Sequence, residues 1–475
     1  IDNNTMPITL QEDNGTFYLK KISYNNKTVG DDIITPNPSF INNTINNIFF
    51  YKNRLCLVSG QNLIFSKNDD YFNFFYTTAA DNLDDDYIDV AVGSNELTDI
   101  QHISTFNENL IVFTNKTQFN ISSNGQPFTS SNLISTAITS FDNNKNCTPV
   151  SVGSNLYFVN NSGDYSTVRE YFVQADTLIN DAANITAHVP KYINSGLTKI
   201  IYESNSDTLF FLKSGEDIIY TYNYKWQGNS KIQSAWSKIK FDFNIIDIDI
   251  IESEIFLLTN NNNNYEIIKS TFNKNLNSYD IYLDKKSITT PVINGDYIEL
   301  TFNNYNFEND NILLNKKYSL INDTNFKIST DIEYVSLDTI RIKNNNYTSS
   351  TYIIGVNYEM RFTMSEINFK SQGSNVAENS GRLQIRNMIF SYTDSLNFDI
   401  EYTPLNRSTK KKSFNGIKVG FNTIGSLETS DGDFKTMIGS RNKGLKIDIV
   451  NSSYLPTYIQ SITWLGFYTK RSKSI

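Results

Sequence analysis

The sequence predicts an all-β protein: a β-propeller of five or six blades followed by additional β-sandwich-like domains. Three observations predict it. The chain carries 32 Phe and 29 Tyr beside abundant Ile and Thr. Such residues suit a pleated, half-buried surface, whereas Ala, the strongest helix former, is scarce. Asn supplies about one residue in seven; it tolerates left-handed turns and caps its own backbone, so many strands joined by short turns accommodate it. AT-rich coding also raises Asn, which makes the many Asn-x-Ser/Thr triplets chance rather than glycosylation signals. The third observation is a repeat.

The repeat is an aliphatic-aromatic run, a polar turn and a second strand-like run. It appears at Arg54–Val58 with Leu63–Phe65, and at Asn109–Phe113 with Thr117–Ile121. It returns at Asn155–Val159 with Val168–Phe172, at Thr208–Leu212 with Ile218–Tyr222, and at Glu254–Leu258 with Tyr265–Ile268. Leu55, Leu110, Leu156, Leu209 and Ile255 recur every ~46 to 55 residues. A hairpin with two further strands needs about 40 to 50 residues, the size of one propeller blade. Thr16-Phe17-Tyr18-Leu19 is a weaker sixth candidate. A meandering sandwich with accidental spacing is the alternative.

Residues 1–275 therefore read as the propeller region. Beyond them the period is lost, although Tyr297-Ile298-Glu299-Leu300-Thr301-Phe302 still alternates as a strand does. Residues 276–375 read as a β-domain carrying Asn-rich segments, Asn303-Asn304-Tyr305-Asn306 and Asn344-Asn345-Asn346 among them. A Ser/Gly/Asn-rich link near Ser371–Ser380 precedes a C-terminal β-domain, 376–475. The chain begins at Ile1 without Met, so a leading region is expected to be cleaved or missing.

Little in the sequence carries chemistry. Net charge is −9 and pI about 5.0, unlike a protein that grips nucleic acid by its phosphates. The compact basic run Lys410-Lys411-Lys412 reads as a solvated turn. Cys56 and Cys147 are the only cysteines, too few for a zinc cluster or disulfide framework. No Gly-rich phosphate loop, zinc-helix motif or nucleophile elbow is present. His102 and His188 stand apart from any catalytic arrangement, and a hydrogen-bonded structural role is expected for His188. The acidic run Asp81, Asp84, Asp85, Asp86 and Asp89 reads as a turn-capping loop, with a hard-cation site as the competing reading. Asp394 and Asp399 form a weak glycosidase-like carboxylate pair. No catalytic residue, metal site or cofactor is assigned.

The motifs then point to a family. Thr35-Pro36-Asn37-Pro38-Ser39-Phe40, Asn53-Arg54-Leu55, Tyr71-Phe72-Asn73-Phe74 and Arg169-Glu170-Tyr171 resemble the tail tubular protein B, or nozzle, family of T-seven-like short-tailed phages (podoviruses). So do His188-Val189-Pro190, Ser234-Ala235-Trp236, Gly381-Arg382-Leu383 and Trp464-Leu465-Gly466-Phe467-Tyr468. The matches run in order from about residue 30 to the end, and residues 276–375 show little likeness. Arg54, Phe72, Asn73, Phe74, Arg169, His188, Pro190, Trp236, Arg382 and Trp464 are the structural residues that carry it.

The resemblance implies a non-enzymatic virion tail protein forming a homohexameric ring below a tail adaptor ring of the tail tubular protein A type. Tail fibres would dock near that junction, at the platform side with the C-terminal domain. Viral double-stranded DNA would pass through the lumen on ejection into a bacterial host, with the tip facing the host cell envelope. An N-terminal platform region of the family has no counterpart here. Gate loops that close the lumen are expected at Asn303, Asn304, Tyr305, Asn306, Asn344, Asn345 and Asn346, because polar segments hold few apolar contacts that oppose opening. A propeller-based receptor- or glycan-binding tail protein, or a sialidase-like glycosidase, is the alternative. The latter lacks support in the rarity of Arg and in three Trp outside any Ser-x-Asp turn.

Overall fold

The computed structural model describes residues 1–93, 99–173, 180–228, 230–261, 264–271, 281–303, 305–307, 317–322, 328–329, 331–343, 351–370, 376–378, 380–416 and 429–470. Every named element among them is a β-strand. The chain divides into two compact units, Ile1–Asn273 and Lys274–Ile475.

The first unit is a succession of antiparallel meanders. The first sheet joins Asn47–Tyr51, Arg54–Ser59, Asn62–Phe65 and Ile88–Ala91; the second joins His102–Phe106, Asn109–Phe113, Gln118–Ser122 and Ile134–Thr139. The third joins Val150–Val152, Asn155–Ser162, Tyr165–Val173 and Asn180–Asn184. The fourth has six strands: Lys199–Glu203, Thr208–Leu212, Glu216–Gln227, Ser230–Ile251, Glu254–Asn261 and Asn264–Thr271. Its Ser230–Ile251 strand is 22 residues long. The first part pairs with Glu216–Gln227, and from Asn244 onward it pairs with Glu254–Asn261.

All five predicted hairpins form, each with its two runs antiparallel and adjacent. Their continuous apolar runs have a physical cause. Successive strand residues point to opposite faces, and the strands of the first four hairpins are covered on both, whereas Tyr265 and Ile267 of the fifth are exposed. Leu156 and Phe158 enter a core with Ile111 and Phe113 of the second sheet. Their neighbours Tyr157 and Val159 enter another with Leu209 and Phe211 of the fourth. Cys56 and Val58 likewise meet Leu110 and Val112, while Leu57 meets Tyr24, Phe40 and Phe74. The six-stranded sheet curves on itself, so Phe210 and Leu212 share a core with Ile245, Ile248 and Ile255.

The sixth candidate differs. Thr16–Lys20 pairs with Thr9–Asp13 in a two-stranded hairpin. Asn14 and Gly15, with φ of 50° and 78°, make the left-handed two-residue turn that strand twist favours. Phe17 and Leu19 are exposed, so this hairpin lacks the covered faces of the first four.

The second unit contains two pairs of sheets, each pair around one core. Asp284–Thr289, Tyr352–Val356, Tyr318–Asn322 and Ile328–Ser329 form one sheet; Val292–Asn294, Tyr297–Thr301, Thr339–Lys343 and Glu333–Tyr334 form another. Leu320 and Ile354 of the first meet Ile298, Leu300 and Ile340 of the second. In the other pair, Met360–Thr363, Lys446–Asn451, Asn397–Thr403 and Lys410–Asn415 face the three-stranded sheet of Gly381–Ser395, Ser430–Arg441 and Tyr458–Lys470. Phe398, Ile400 and Ile449 there pack with Leu383, Met388 and Phe390.

Candidate functional site

Several of the motif residues tie neighbouring segments together. Arg54 follows the two-residue turn Lys52–Asn53, both at positive φ, and is itself 3% exposed. It donates to the carbonyls of Ser66 at 2.8 Å, Asp84 at 2.9 Å and Asp86 at 2.5 Å. Burial draws its pKa down while Asp85 and Asp86 oppose that fall. One planar fork thus ties the acidic loop to the first sheet, a geometry suited to Arg and not to Lys.

Three of the run's carboxylates have partners nearby. Asp86 accepts from Thr77 N at 2.9 Å, Thr77 Oγ1 at 2.7 Å and Leu83 N at 2.8 Å. Asp89 accepts from Ser39 N at 2.7 Å and Asn62 Nδ2 at 2.8 Å. Asp85 pairs with Lys67 at 3.1 Å. Among the described residues no group of three or more His, Cys, Asp or Glu is arranged to hold a metal ion.

Phe72 and Phe74 pack about Tyr24, and Phe74 also meets Phe40 edge-on at 5.3 Å. Asn73 between them accepts from Phe75 N and donates to Asp70. Arg169 lies 4.0 Å over the Phe141 ring and donates to Ala182 O at 2.9 Å. Trp236 Nε1 donates to Ile185 O at 3.0 Å, with its ring against Tyr222 and Phe211. Trp464 is half-buried against the C-terminal core.

Other residues depart from expectation. His188 and Pro190 are exposed in the turn that Thr186 O and Val189 N close; the hydrogen bond expected for the His188 ring is not seen among the described residues. Lys410-Lys411-Lys412 belongs to a strand, not a turn, and Lys411 pairs with Asp399 at 2.7 Å. That pairing makes Asp399 an ion-pair partner within the sheet. Arg382 is exposed. Asn303 and Asn306 are exposed, but Tyr305 between them packs on Phe302, Phe307 and Tyr318 and bonds to Lys285 O. Asn304, Asn344, Asn345 and Asn346 lie outside the described residues.

Two fasteners had escaped sequence reasoning. Buried Asn144 gives its N–H to Val159 O at 2.8 Å and its Nδ2 to Leu197 O at 2.8 Å, and its own carbonyl takes the His102 Nε2 proton at 3.1 Å. It ties the second, third and approaching fourth sheets together. The other is the pair Lys231–Glu170, at 2.6 Å. Nothing distinguishes one Asn or Lys among so many without the fold.

Among the described residues the arrangement is a set of inter-sheet ties. The profile of the family described as Bacteriophage nozzle protein matches residues 1–475. The chain belongs to the bacteriophage nozzle protein family. It is 29% identical over 491 residues to "Tail tubular protein gp12" of Escherichia phage T7, covering 99% of this chain and 62% of that protein. The chain thus spans less than two thirds of the length of that curated relative. The family is that of the phage nozzle, so the chain is a virion tail component; a glycosidase or glycan-binding reading is not favoured. Among solved structures it is similar to Kluyveromyces lactis Hsv2p, 10% identical, TM-score 0.29, covering 55% of this chain and 78% of that one. It is also similar to the AfRom2 CNH domain, 12% identical, TM-score 0.29, covering 67% and 96%. Scores this low carry no argument about how the sheets are arranged.

Proposed function

We propose that the chain is a wall subunit of a gated tail tube, six copies forming a ring through which viral double-stranded DNA is ejected. The observation that carries the reading is the whole-length family match, joined to a chain in which several motif residues tie neighbouring segments together. In the first unit the consecutive sheets are the blades of a propeller, a shape that needs no site chemistry because each blade covers its neighbours' faces. Residues 276–375 form the tip and 376–475 the platform side, where the adaptor ring and tail fibres dock. A net charge of −9 suits a conduit that must pass DNA without holding it, since sixfold symmetry multiplies whatever charge faces the lumen. The gate is assigned to the Asn-rich loops, with Tyr305 as the anchor beside exposed Asn303 and Asn306.

Electron microscopy of the assembled tail tests this. Six copies around a neutral or acidic lumen are expected. A lone monomer that turns over saccharides would sink the reading, and a strongly basic lumen would sink its electrostatic part. Deleting the gate loops should cause premature genome leakage; unchanged retention would remove that assignment.

A further inference from the structure

Four of the chain's glycines follow an asparagine: Asn14-Gly15, Asn124-Gly125, Asn294-Gly295 and Asn415-Gly416. Such pairs are prone to a reaction within the chain. The glycine nitrogen, losing its proton to water, attacks the asparagine Cγ. A five-membered imide forms and ammonia leaves. Water then opens the imide at either carbonyl, giving aspartate, or iso-aspartate with the backbone rerouted through the side chain. Glycine favours the attack because no Cβ shields its nitrogen and its backbone turns readily. The reaction needs a nitrogen free of other bonds, room around it and a backbone that brings it round to Cγ.

The fold meets these needs at one pair. Asn14 and Asn124 sit at φ of 50° and 47°. In that left-handed conformation, with ψ about +47°, the next nitrogen lies almost opposite the side chain across the Cα–C bond. Gly15 N is also held by the Glu12 carboxylate, and Asn124 Oδ1 accepts from Ser122 Oγ at 3.1 Å. Asn415 ends the strand Lys410–Asn415, but Gly416 is buried and donates its N–H to Leu396 O at 2.7 Å. A Cβ on Gly416 would stand 3.2 Å from the Leu396 backbone, so the site is also crowded. Asn294 ends the strand Val292–Asn294, in extended backbone that needs a smaller turn toward Cγ. Both Asn294 and Gly295 are exposed, and the space around Gly295 is open. Among the described residues Gly295 N donates to nothing.

We propose that Asn294 is a self-modification site, converting to aspartate or iso-aspartate ahead of the other three. The change acts on the hairpin that carries it. Asn294 Nδ2 donates to Glu299 Oε1 at 3.0 Å on the paired strand Tyr297–Thr301. Hydrolysis replaces that donor by a carboxylate, so two negative groups face each other where one bond had been. Arg341, opposite Glu299, is already engaged with Glu333 at 2.7 Å. Iso-aspartate also lengthens the backbone by a methylene beside a two-residue turn, which disturbs the register a hairpin depends on. The edge strand pairs only as Val292 with Glu299, Ile293 with Ile298 and Asn294 with Tyr297, so it has little else to hold it. An aged chain therefore gains a negative charge and a looser edge at 292–294. This holds for a single copy and does not depend on the ring reading.

The test is incubation of the full chain at neutral pH, with peptide mass spectrometry reading amide-to-acid conversion at each pair. Asn294 should convert about tenfold faster than Asn14, Asn124 or Asn415, the ratio that a barrier lower by ~1.4 kcal/mol gives. In urea, where the fold no longer ranks them, all four should convert at similar rates. Hydrogen exchange across 292–301 should quicken as conversion proceeds, and Asn294→Asp should show part of that change from the start. Asn294→Gln, whose longer side chain closes the ring far more slowly, should hold exchange constant. Another pair converting first, an unconverted Asn294, or the same ranking in urea would overturn the proposal. Exchange that stays at its initial rate in converted chain would overturn the loosening of the hairpin.

Discussion

Lys231, on the long strand of the fourth sheet, sets its ammonium 2.6 Å from Glu170 of the third sheet, with the rings of Tyr222, Tyr224 and Trp226 around it. Glu170 also accepts from Tyr157 Oη at 2.6 Å and Asn155 Nδ2 at 3.0 Å. Burial and that carboxylate push the Tyr157 phenol above its ordinary range, so it stays a donor. The cluster is a polar rivet through an apolar seam.

Lys231→Met leaves Glu170 in the seam without its cation. Unfolding free energy should fall by about 2–3 kcal/mol, less than a fully buried pair loses because Lys231 keeps some water. Removing both partners as Lys231→Met with Glu170→Met should cost less than the two single changes together. Urea denaturation of the three variants measures this; additive losses would show that the pair does not couple.

Arg54→Lys keeps the charge and loses the fork. The acidic loop should loosen, with faster hydrogen exchange across residues 77–89 and a stability loss of about 2 kcal/mol. Exchange unchanged from wild type would mean that the three carbonyl contacts do not hold the loop.

His102 supplies a pH dependence. A carbonyl only accepts, so Nε2 must carry the proton it gives to Asn144 O. Burial outweighs the neighbouring carbonyls and sets the folded pKa below the ordinary 6.5. The unfolded chain therefore binds the proton more tightly. Stability from this group is fully present above pH 6.5 and is lost as pH falls from there toward the folded pKa, by at most ~1.4 kcal/mol per unit. His102→Gln should flatten the stability profile between pH 6.5 and 5; a profile identical to wild type would refute the assignment.

Cys56 and Cys147 are both free and buried. Burial pushes the Cys147 thiol up to about 12 and raises that of Cys56 well above its usual value. Since the thiolate is the nucleophile, neither should react with a thiol reagent at pH 8 until the protein unfolds, when both should. Rapid labelling of the folded chain would contradict the packing.

The hairpins were legible because covering both strand faces leaves unbroken apolar runs such as Leu156-Tyr157-Phe158-Val159, flanked by turn residues. The fourth and fifth repeats read as separate units, and nothing local revealed that Ser230–Ile251 serves both. Its middle, Ser237 to Asn244, alternates like any strand, and continuity is a long-range fact. The Thr16–Leu19 candidate misled for the opposite reason: its apolar residues are spaced as a strand requires, yet nothing described covers them. Arg54 and Trp236 stand in ties between segments, while His188 is exposed, which no neighbour in sequence announces.

The shared strand has a mechanical consequence. A backbone that runs unbroken for 22 residues through two hydrogen-bonded ladders acts as a tie rod. Tension along it must shear many rungs at once, whereas a strand ending at each ladder would peel away bond by bond. A pull on either ladder is therefore carried into the next as tensile load, and the weak points move to the turns at its two ends.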